Sequence, residues 1–232
     1  MKYFIQLLIL LCYLTSIDST AQKNPKWLRY PAISPDGNTI LFNYQGDIYK
    51  VPATGGAAIP LTLSESYEYS AVWSHDGNQI AFASDRYGNF DIYTMPAVGG
   101  VAKRLTFHSN NEKPSDFSRD NQNIIFSGVR QDVYTNVQFP STVLAELYSV
   151  PVKGGRVNMV LTSPAHDAKF SPDGNRLIYH DRKGYENDWR KHHTSSVTRD
   201  IWTYDLETGK YTKLSGFEGE DRNPVFAKNN DT

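Results

Sequence analysis

A tetrapeptide turn motif recurs along this chain and constrains its fold more than any other feature. Four copies consist of serine, any residue, aspartate, and then glycine or asparagine: Ser34–Gly37, Ser74–Gly77, Ser118–Asn121 and Ser171–Gly174. A weaker fifth copy occupies Ala227–Asn230, and successive copies are separated by 40, 44, 53 and 56 residues. A unit repeated at such a period is typical of solenoids and propellers.

Every repeat contains four apolar runs that are too short for helices and are separated by turn residues, which predicts four β-strands, a to d. Between strands a and b stands the Asp-Gly or Asp-Asn turn, whose residues tolerate positive φ. Strand b is apolar throughout, as in Ile80–Phe82, and strand c begins with an acidic residue, as in Asp91–Tyr93. A glycine pair such as Gly99–Gly100 precedes strand d. We therefore predict an all-β chain in which each repeat is one antiparallel four-stranded blade of a β-propeller.

The repeats predict four complete blades and the first strand of a fifth. Their bounds are about residues 27–62, 63–106, 107–162 and 163–214, and residues 215–232 form the incomplete blade, with its strand a at residues 223–227. An arc that ends inside a blade leaves strand edges unpaired. We therefore expect the blades to be part of a larger ring, and a closed four-bladed ring with a polar tail is the alternative.

The length of the repeat varies in one connection. From the turn serine to the acidic residue of strand c the distances are 13, 17, 28 and 29 residues, whereas from that residue to the next turn they are 27, 27, 25 and 27. The insertions thus fall between strands b and c, on the same face as the connections between blades, and such insertions generally collect on a binding face. The side chains that we expect to contact a peptide or partner there are His108, Glu112, His166, Asp167, Arg182, Tyr185, Trp189, Arg190, His192, His193 and Arg222.

Other polar residues of the repeat are better explained by structure than by catalysis or metal binding. Aspartate in a turn can bond to local backbone N–H groups, and glycine tolerates positive φ, so we expect structural turn roles for Asp36, Gly37, Asp76, Gly77, Asp120, Asp173 and Gly174. At the starts of the c strands, Asp47, Asp91, Glu146 and Asp200 are expected to satisfy backbone donors. The adjacent His192 and His193 lack the partner spacing of a metal site. We assign no catalytic residue, metal ligand or cofactor.

The first 21 residues have the pattern of a signal peptide. Lys2 precedes an apolar run over residues 3–17, and the small residues of Ser19–Ala21 predict cleavage before Gln22, with an uncleaved anchor as the alternative. Cys12 is the one cysteine, so the mature chain would have no thiol for a disulfide, a zinc site or a nucleophile. The net charge of -1 gives no reason to expect nucleic-acid binding. We predict an exported protein, periplasmic or secreted, that leaves the membrane after cleavage.

The repeat resembles that of TolB-type propellers and, among them, the amino-terminal propeller of the tricorn protease family. The resemblance spans about residues 27–232 and is most complete at Trp73–Thr106, which contains Asp85–Arg86 after strand b, Asp91–Tyr93, Gly99–Gly100 and Arg104–Thr106. Arg104–His108, and Trp189–His193 followed by Thr198–Asp205, favour the tricorn family.

This resemblance implies a six-bladed ring and a non-catalytic segment of an exported serine protease. The segment would guide or gate peptides and dock the catalytic domains that follow it, within a full-length protein that can form a homo-oligomer. The sequence contains no nucleophile elbow, zinc-protease motif or P-loop of its own. A TolB-like periplasmic scaffold for protein partners is the alternative, and a propeller with its own hydrolase activity is a third hypothesis.

Overall fold

The structure is a computed structural model that describes residues 27–130, 144–184 and 194–227. These residues form sixteen β-strands in four antiparallel sheets of four strands each. The order within every sheet follows the chain, so each sheet is a meander. The predicted all-β architecture of four-stranded blades is confirmed.

The strands of the four blades are as follows. Blade 1 contains β1 (Arg29–Ile33), β2 (Thr39–Tyr44), β3 (Asp47–Pro52) and β4 (Ile59–Pro60). Blade 2 contains β5 (Glu68–Trp73), β6 (Gln79–Ser84), β7 (Asp91–Pro96) and β8 (Lys103–Arg104). Blade 3 contains β9 (Glu112–Phe117), β10 (Asn123–Gly128), β11 (Glu146–Pro151) and β12 (Asn158–Leu161). Blade 4 contains β13 (His166–Phe170), β14 (Arg176–His180), β15 (Ile201–Asp205) and β16 (Tyr211–Lys213).

The turn between strands a and b is closed by its serine and aspartate side chains. In blade 2, Ser74 Oγ donates to Asp76 Oδ1 at 2.6 Å and accepts from Gln79 N at 2.9 Å. Asp76 Oδ1 also accepts from Asn78 N at 3.0 Å, and the bond from the Ser74 hydroxyl lowers the pKa of Asp76. Gly77 has φ +73°, which glycine adopts without a Cβ clash. The equivalent aspartates accept the same serine and backbone bonds: Asp36, Asp120 and Asp173.

The hydrophobic cores of the described residues lie between blades. Along β6, Ile80 and Phe82 pack with residues of blade 1, whereas Ala81 packs with residues of blade 3. Side chains of a strand alternate between faces, so a strand that is covered on both sides must be apolar throughout. The clusters at the three boundaries include Leu41, Ile80, Phe82 and Tyr93, then Ala81, Phe117, Phe126 and Tyr148, then Ile125, Leu147, Leu177 and Tyr179.

Strand a contains a bulge at the same repeat position in all four blades, where the register of its ladder with strand b shifts. The residue four before the turn serine has positive φ at Tyr30 (51°), Ser70 (57°) and Asp167 (50°), and the ladder register shifts there. Blade 3 has Pro114 at this position, whose ring fixes φ at a negative value. The bulge therefore belongs to the repeat and not to one blade.

The segment 223–227, predicted as strand a of a fifth blade, forms no ladder in the structure. Its Asn223 nevertheless has φ 52°, which is the bulge conformation of the other a strands. Val225 and Phe226 line a pocket against blade 4 together with Ile178, whose exposed fraction is 8%. The segment therefore lies where the next blade would begin. Within the described residues, no b strand follows this segment to pair with it.

The outer face of blade 1 has no neighbouring blade within the described ranges. Phe42 stands at the repeat position of Phe82, yet it is half-buried where Phe82 is fully buried. Ile33 and Ile59 of the same blade are 62% and 55% exposed. This face is therefore an uncovered blade surface.

Candidate functional site on the loop face

The end of the blades that carries the longer connections is called here the loop face. The described residues between strands b and c are 45–46, 85–90, 129–130 with 144–145, and 181–184 with 194–200. The described connections between blades are residues 61–67, 105–111, 162–165 and 214–222. The two kinds of segment contact each other, since Asn89 Nδ2 donates to His108 O at 2.8 Å and to Asn110 O at 3.2 Å. Insertions and blade connections therefore form one surface.

An acidic side chain marks the corner where each c strand leaves the loop face. Asp47 Oδ1 accepts from Ser64 N at 3.0 Å, and Thr62 Oγ1 accepts from the N–H of Ile48 at 2.9 Å. The equivalent residues have these partners: Arg104 Nη2 at 2.7 Å for Asp91, the Tyr148 hydroxyl at 2.7 Å for Glu146, and the Ser215 hydroxyl at 2.9 Å for Asp200. The contacts of Asp47, Asp91 and Asp200 tie the start of strand c to neighbouring segments, whereas this contact of Glu146 lies within its own strand.

The a strands of blades 2 and 3, β5 and β9, each begin with a buried glutamate. Glu68 and Glu112 are 0% and 1% exposed and occupy the same repeat position, six residues before the turn serine. Each pairs with an arginine twelve residues after that serine: Arg86 Nε lies 2.9 Å from Glu68 Oε1, and Arg130 Nε lies 2.9 Å from Glu112 Oε1. Burial raises the pKa of Glu112 although Arg130 opposes the shift. Glu112, expected on the contact face, therefore lies beneath it as half of an ion pair.

The same arginines cover aromatic side chains of strands b and c. The guanidinium carbon of Arg86 lies 5.2 Å from the Tyr93 ring centroid, and that of Arg130 lies 5.5 Å from both the Phe126 and Tyr148 centroids. These distances are within the range of cation–π contacts. The arginine side chains thus occupy the loop-face ends of the first two blade boundaries.

A histidine pair lies on the neighbouring strands β13 and β14 of blade 4. The rings of His166 and His180 stack with centroids 5.7 Å apart and an interplanar angle of 13°. Asp167 Oδ2 lies 3.9 Å from His180 Nε2, and Asp167 Oδ1 accepts from Lys113 Nζ at 2.6 Å. His180 Nδ1 accepts from Asn223 N at 3.4 Å, so the pair also contacts the segment that follows blade 4.

This pair is neutral in the folded protein at neutral pH. Burial lowers the pKa of His166 to about 4, and Arg182 and Lys113 lower it further while Asp167 opposes them. Burial also lowers the pKa of His180. Burial alone would raise the pKa of Asp167, but the Lys113 ammonium holds it below its ordinary value. The cluster therefore contains one ion pair beside two uncharged imidazoles.

The remaining expected contact residues are placed apart from this cluster or outside the described residues. His108 is half-buried, and its Nδ1 accepts from Asn110 N at 3.2 Å; burial lowers its pKa. Arg182 Nε donates to Gly184 O at 3.4 Å, and Arg222 Nε lies 2.6 Å from Glu220 Oε1. Five expected residues lie outside the described ranges: Tyr185, Trp189, Arg190, His192 and His193.

Sequence reasoning missed three residues that organise this region. Lys113, Arg130 and His180 were not among the expected contacts, although Arg130 repeats Arg86 of blade 2. His180 is the clearest case, because the same strand-b position holds Ala83 in blade 2 and Ser127 in blade 3. Comparison of equivalent positions would have found it.

A pocket of about 510 Å³ opens on the loop face between blades 3 and 4. Its apolar and aromatic lining residues are Leu144, Pro164, Tyr179, Trp202 and Tyr211, and its polar ones are Ser163, Asp181, Arg182 and Lys183. Asp181 Oδ2 accepts from the indole N–H of Trp202 at 3.0 Å, which fixes the ring at the pocket wall. Concave sites with aromatic walls and a few polar groups are typical ligand sites.

The described ranges contain no group of three or more His, Cys, Asp and Glu side chains placed to hold a metal ion. Within the same ranges, no helix has the length and apolar character needed to cross a membrane.

Comparisons with known proteins give a consistent fold. The tricorn protease structure superposes with a TM-score of 0.70 at 22% identity, over 88% of this chain and 20% of that chain. TolB from Acinetobacter baumannii gives 0.60 at 24% identity, over 84% of this chain and 44% of that one. This chain thus spans less than half the length of either protein. Among curated proteins, none matches significantly.

The family comparison covers nearly the whole sequence. Residues 25–230 match the pattern described as the tricorn protease N-terminal β-propeller domain. All four blades of the structure fall within this range. The chain therefore belongs to the family of tricorn protease N-terminal β-propeller domains.

Proposed function

We propose that this chain is the non-catalytic propeller of an exported, tricorn-like serine protease, which guides or gates peptides toward catalytic domains that dock against it. The observation that carries the proposal is the match of residues 25–230 to the N-terminal propeller of tricorn protease. The sequence contains no nucleophile elbow, so in this proposal the catalytic serine belongs to another part of the protein.

The loop face supports a role in peptide handling. Charges of both signs stand near the starts of the a strands, as in the Lys113–Asp167 pair, and the aromatic pocket opens on the same face. A peptide presents N–H and C=O groups, charged termini and apolar side chains. This mixture of groups suits such a ligand better than the polyanionic backbone of a nucleic acid, which requires a basic surface.

We further propose that additional blades of the same polypeptide cover blade 1 and close a six-bladed ring. The half-buried Phe42 supports this, because its counterpart Phe82 is fully buried by a neighbouring blade. Small-angle scattering of the complete polypeptide tests the ring. A closed disc with a central channel is expected, and a curve that fits only an open arc would contradict it.

The function is tested on the complete polypeptide that the gene encodes. We expect cleavage of fluorogenic peptides that is lost when the serine of a downstream peptidase domain is replaced by alanine. A matched variant with substitutions on the loop face should retain cleavage of the shortest peptides and lose it for longer ones. A reading frame without any peptidase domain would refute the protease assignment.

A second candidate function is a TolB-like scaffold for protein partners. The observation that favours it is a set of exposed apolar side chains on the loop face: Leu63 (79%), Tyr87 (69%) and Phe107 (73%). Exposed apolar patches commonly mark protein–protein contacts. Capture of an envelope protein that is lost on replacing Phe107 by serine, without any peptide binding, would favour the scaffold.

Export is part of both proposals. Residues 1–26 lie outside the described ranges, so the signal peptide and the cleavage before Gln22 stay predictions from sequence. Amino-terminal sequencing of the mature protein tests them, and a start at Gln22 is expected.

A further inference from the structure

The boundaries between blades differ at the loop face in what fills them. Between blades 1 and 2 the space holds Arg86, and between blades 2 and 3 it holds Arg130. Both guanidinium groups lie over an aromatic ring and bind a buried glutamate, Glu68 or Glu112. Blades 2 and 3 thus share a position in which an arginine side chain lies between an aromatic ring and a carboxylate.

Blade 4 lacks both members of this pair. Ala165 stands six residues before the turn serine, where blades 2 and 3 have glutamate, and Lys183 stands twelve residues after it, where they have arginine. The Lys183 ammonium donates to the carboxylate of Asp200 and to Thr198 O, the latter at 2.8 Å. No side chain of blade 4 among the described residues therefore repeats the covering arginine.

Blade 4 keeps the aromatic residues of strands b and c, although Lys183 replaces the arginine that covers them in blades 2 and 3. Tyr179 and Trp202 face each other across β14 and β15, as Phe126 and Tyr148 do across β10 and β11. In blade 3 this pair is covered by Arg130, whereas in blade 4 it lines the pocket of about 510 Å³. The pocket is thus the space that the arginine occupies in the sibling blades.

A carboxylate also remains at the pocket. Asp181 lies in its lining, and its two oxygens accept from Asp200 N at 2.8 Å and from Trp202 Nε1 at 3.0 Å. An ionised carboxylate has about four acceptor positions, so it can accept further N–H groups. Of the cations in the lining, Lys183 pairs with Asp200 and its Nζ also lies 3.8 Å from Asp181 Oδ2, while Arg182 Nε donates to Gly184 O at 3.4 Å.

We propose that this pocket binds the arginine side chain of a peptide, which stacks on Trp202 and Tyr179 and pairs with Asp181. The bound guanidinium would reproduce the place of Arg86 and Arg130 in the neighbouring blades. The proposal rests on the peptide-handling function above and specifies its ligand as a peptide that carries an arginine.

Calorimetric titration of the protein with three blocked pentapeptides tests the ligand class. The peptides carry arginine, its uncharged isostere citrulline, or norleucine at the centre of four alanines. The arginine peptide is expected to bind about tenfold more tightly than the citrulline peptide, because citrulline keeps the planar shape and loses the charge-assisted bond to Asp181. Equal binding of all three, or tightest binding of norleucine, would overturn the assignment.

A variant that copies the glutamate–arginine pair of blades 2 and 3 into blade 4 tests the site. Ala165→Glu combined with Lys183→Arg restores the pair found in blades 2 and 3 and should fill the pocket with an internal guanidinium. We expect loss of arginine-peptide binding with an unchanged circular dichroism spectrum. Asp181→Asn is a second variant, which should reduce the preference for arginine over citrulline to about twofold or less. Undiminished binding by both variants would place the peptide elsewhere.

The small ligand N-acetyl-arginine amide separates this inference from the function on which it rests. Its binding, with loss in the filled variant, would support the pocket even if longer peptides are not handled. If peptides bind the Ala165→Glu, Lys183→Arg variant as tightly as the native protein, the peptide-handling function stands and the assignment of this pocket as the arginine site is refuted. Failure of every ligand to bind would refute both.

Discussion

The stacked histidines of blade 4 predict that acid weakens the folded protein. Burial keeps the pKa of His166 at about 4 and lowers that of His180, whereas both imidazoles are ordinary bases with pKa about 6.5 in the unfolded chain. Because the folded values lie below the unfolded ones, the contribution to stability is complete above pH 6.5 and falls as the pH decreases. Each histidine then costs about 1.4 kcal/mol per pH unit, or up to about 5 kcal/mol for the pair between pH 6.5 and 4.5.

The substitution His180→Asn isolates this effect. Blade 1 has Asn43 at the same repeat position, where its amide bonds to the backbone of the next blade, so asparagine suits the site. The free energy of unfolding is measured by urea titration at pH 8, 6.5, 5.5 and 4.5, with tryptophan fluorescence as the signal. The variant should lose about 2–3 kcal/mol less than the native protein between pH 6.5 and 4.5, because one titrating group is gone.

The measurement at pH 8 is the internal control. Both histidines are neutral there in either state, so any difference at pH 8 reports only lost packing. If the pH dependence of His180→Asn parallels that of the native protein, the buried pair does not govern acid stability and the reasoning from its burial is refuted.

Two further predictions concern the covered and uncovered faces of the blades. In the 232-residue chain, Phe82→Ala should cost about 3–5 kcal/mol of unfolding free energy and Phe42→Ala clearly less, because Phe82 is fully buried between blades and Phe42 is half-buried; equal losses in urea titrations would contradict the assignment of an open face. Arg130→Met should cost about 3–5 kcal/mol at pH 7, because it leaves the Glu112 carboxylate buried without its cation. That loss should shrink at pH 4.5, where Glu112 can take up a proton, and thermal melts at the two pH values check the sign.

The repeat itself could be predicted from sequence because its signals are local. Asp-Gly turns, glycine pairs and apolar b strands each act over a few residues, and the structure places β6 and β7 where the pattern predicts them. Segment 223–227 was predicted by the same logic as the a strand of an incomplete blade, and it forms no ladder because a strand needs a partner beyond its own residues. The positive φ at Asn223 still repeats, because backbone conformation at that position is local.

The candidate site was harder to predict because its contacts join distant residues. Glu112 was expected at the surface, where glutamate normally lies, and only its pairing with Arg130 eighteen residues away explains its burial. The pocket between blades 3 and 4 depends on what is missing from one repeat, Ala165 in place of glutamate. Such a feature emerges from comparing equivalent positions and not from any single motif.

The placement of the three cores between blades determines which blades are expected to unfold first. Each hydrophobic core combines side chains of two adjacent blades, so a single blade is stable only when it packs on a neighbour, as in other repeat architectures. Blades 2 and 3 are held from both sides, whereas blades 1 and 4 are each held by one core. Amide hydrogens of β6 and β10 should therefore exchange with solvent most slowly, and those of β2 and β14 earlier. In the 232-residue chain by itself, opening is expected to proceed from blades 1 and 4 toward blades 2 and 3.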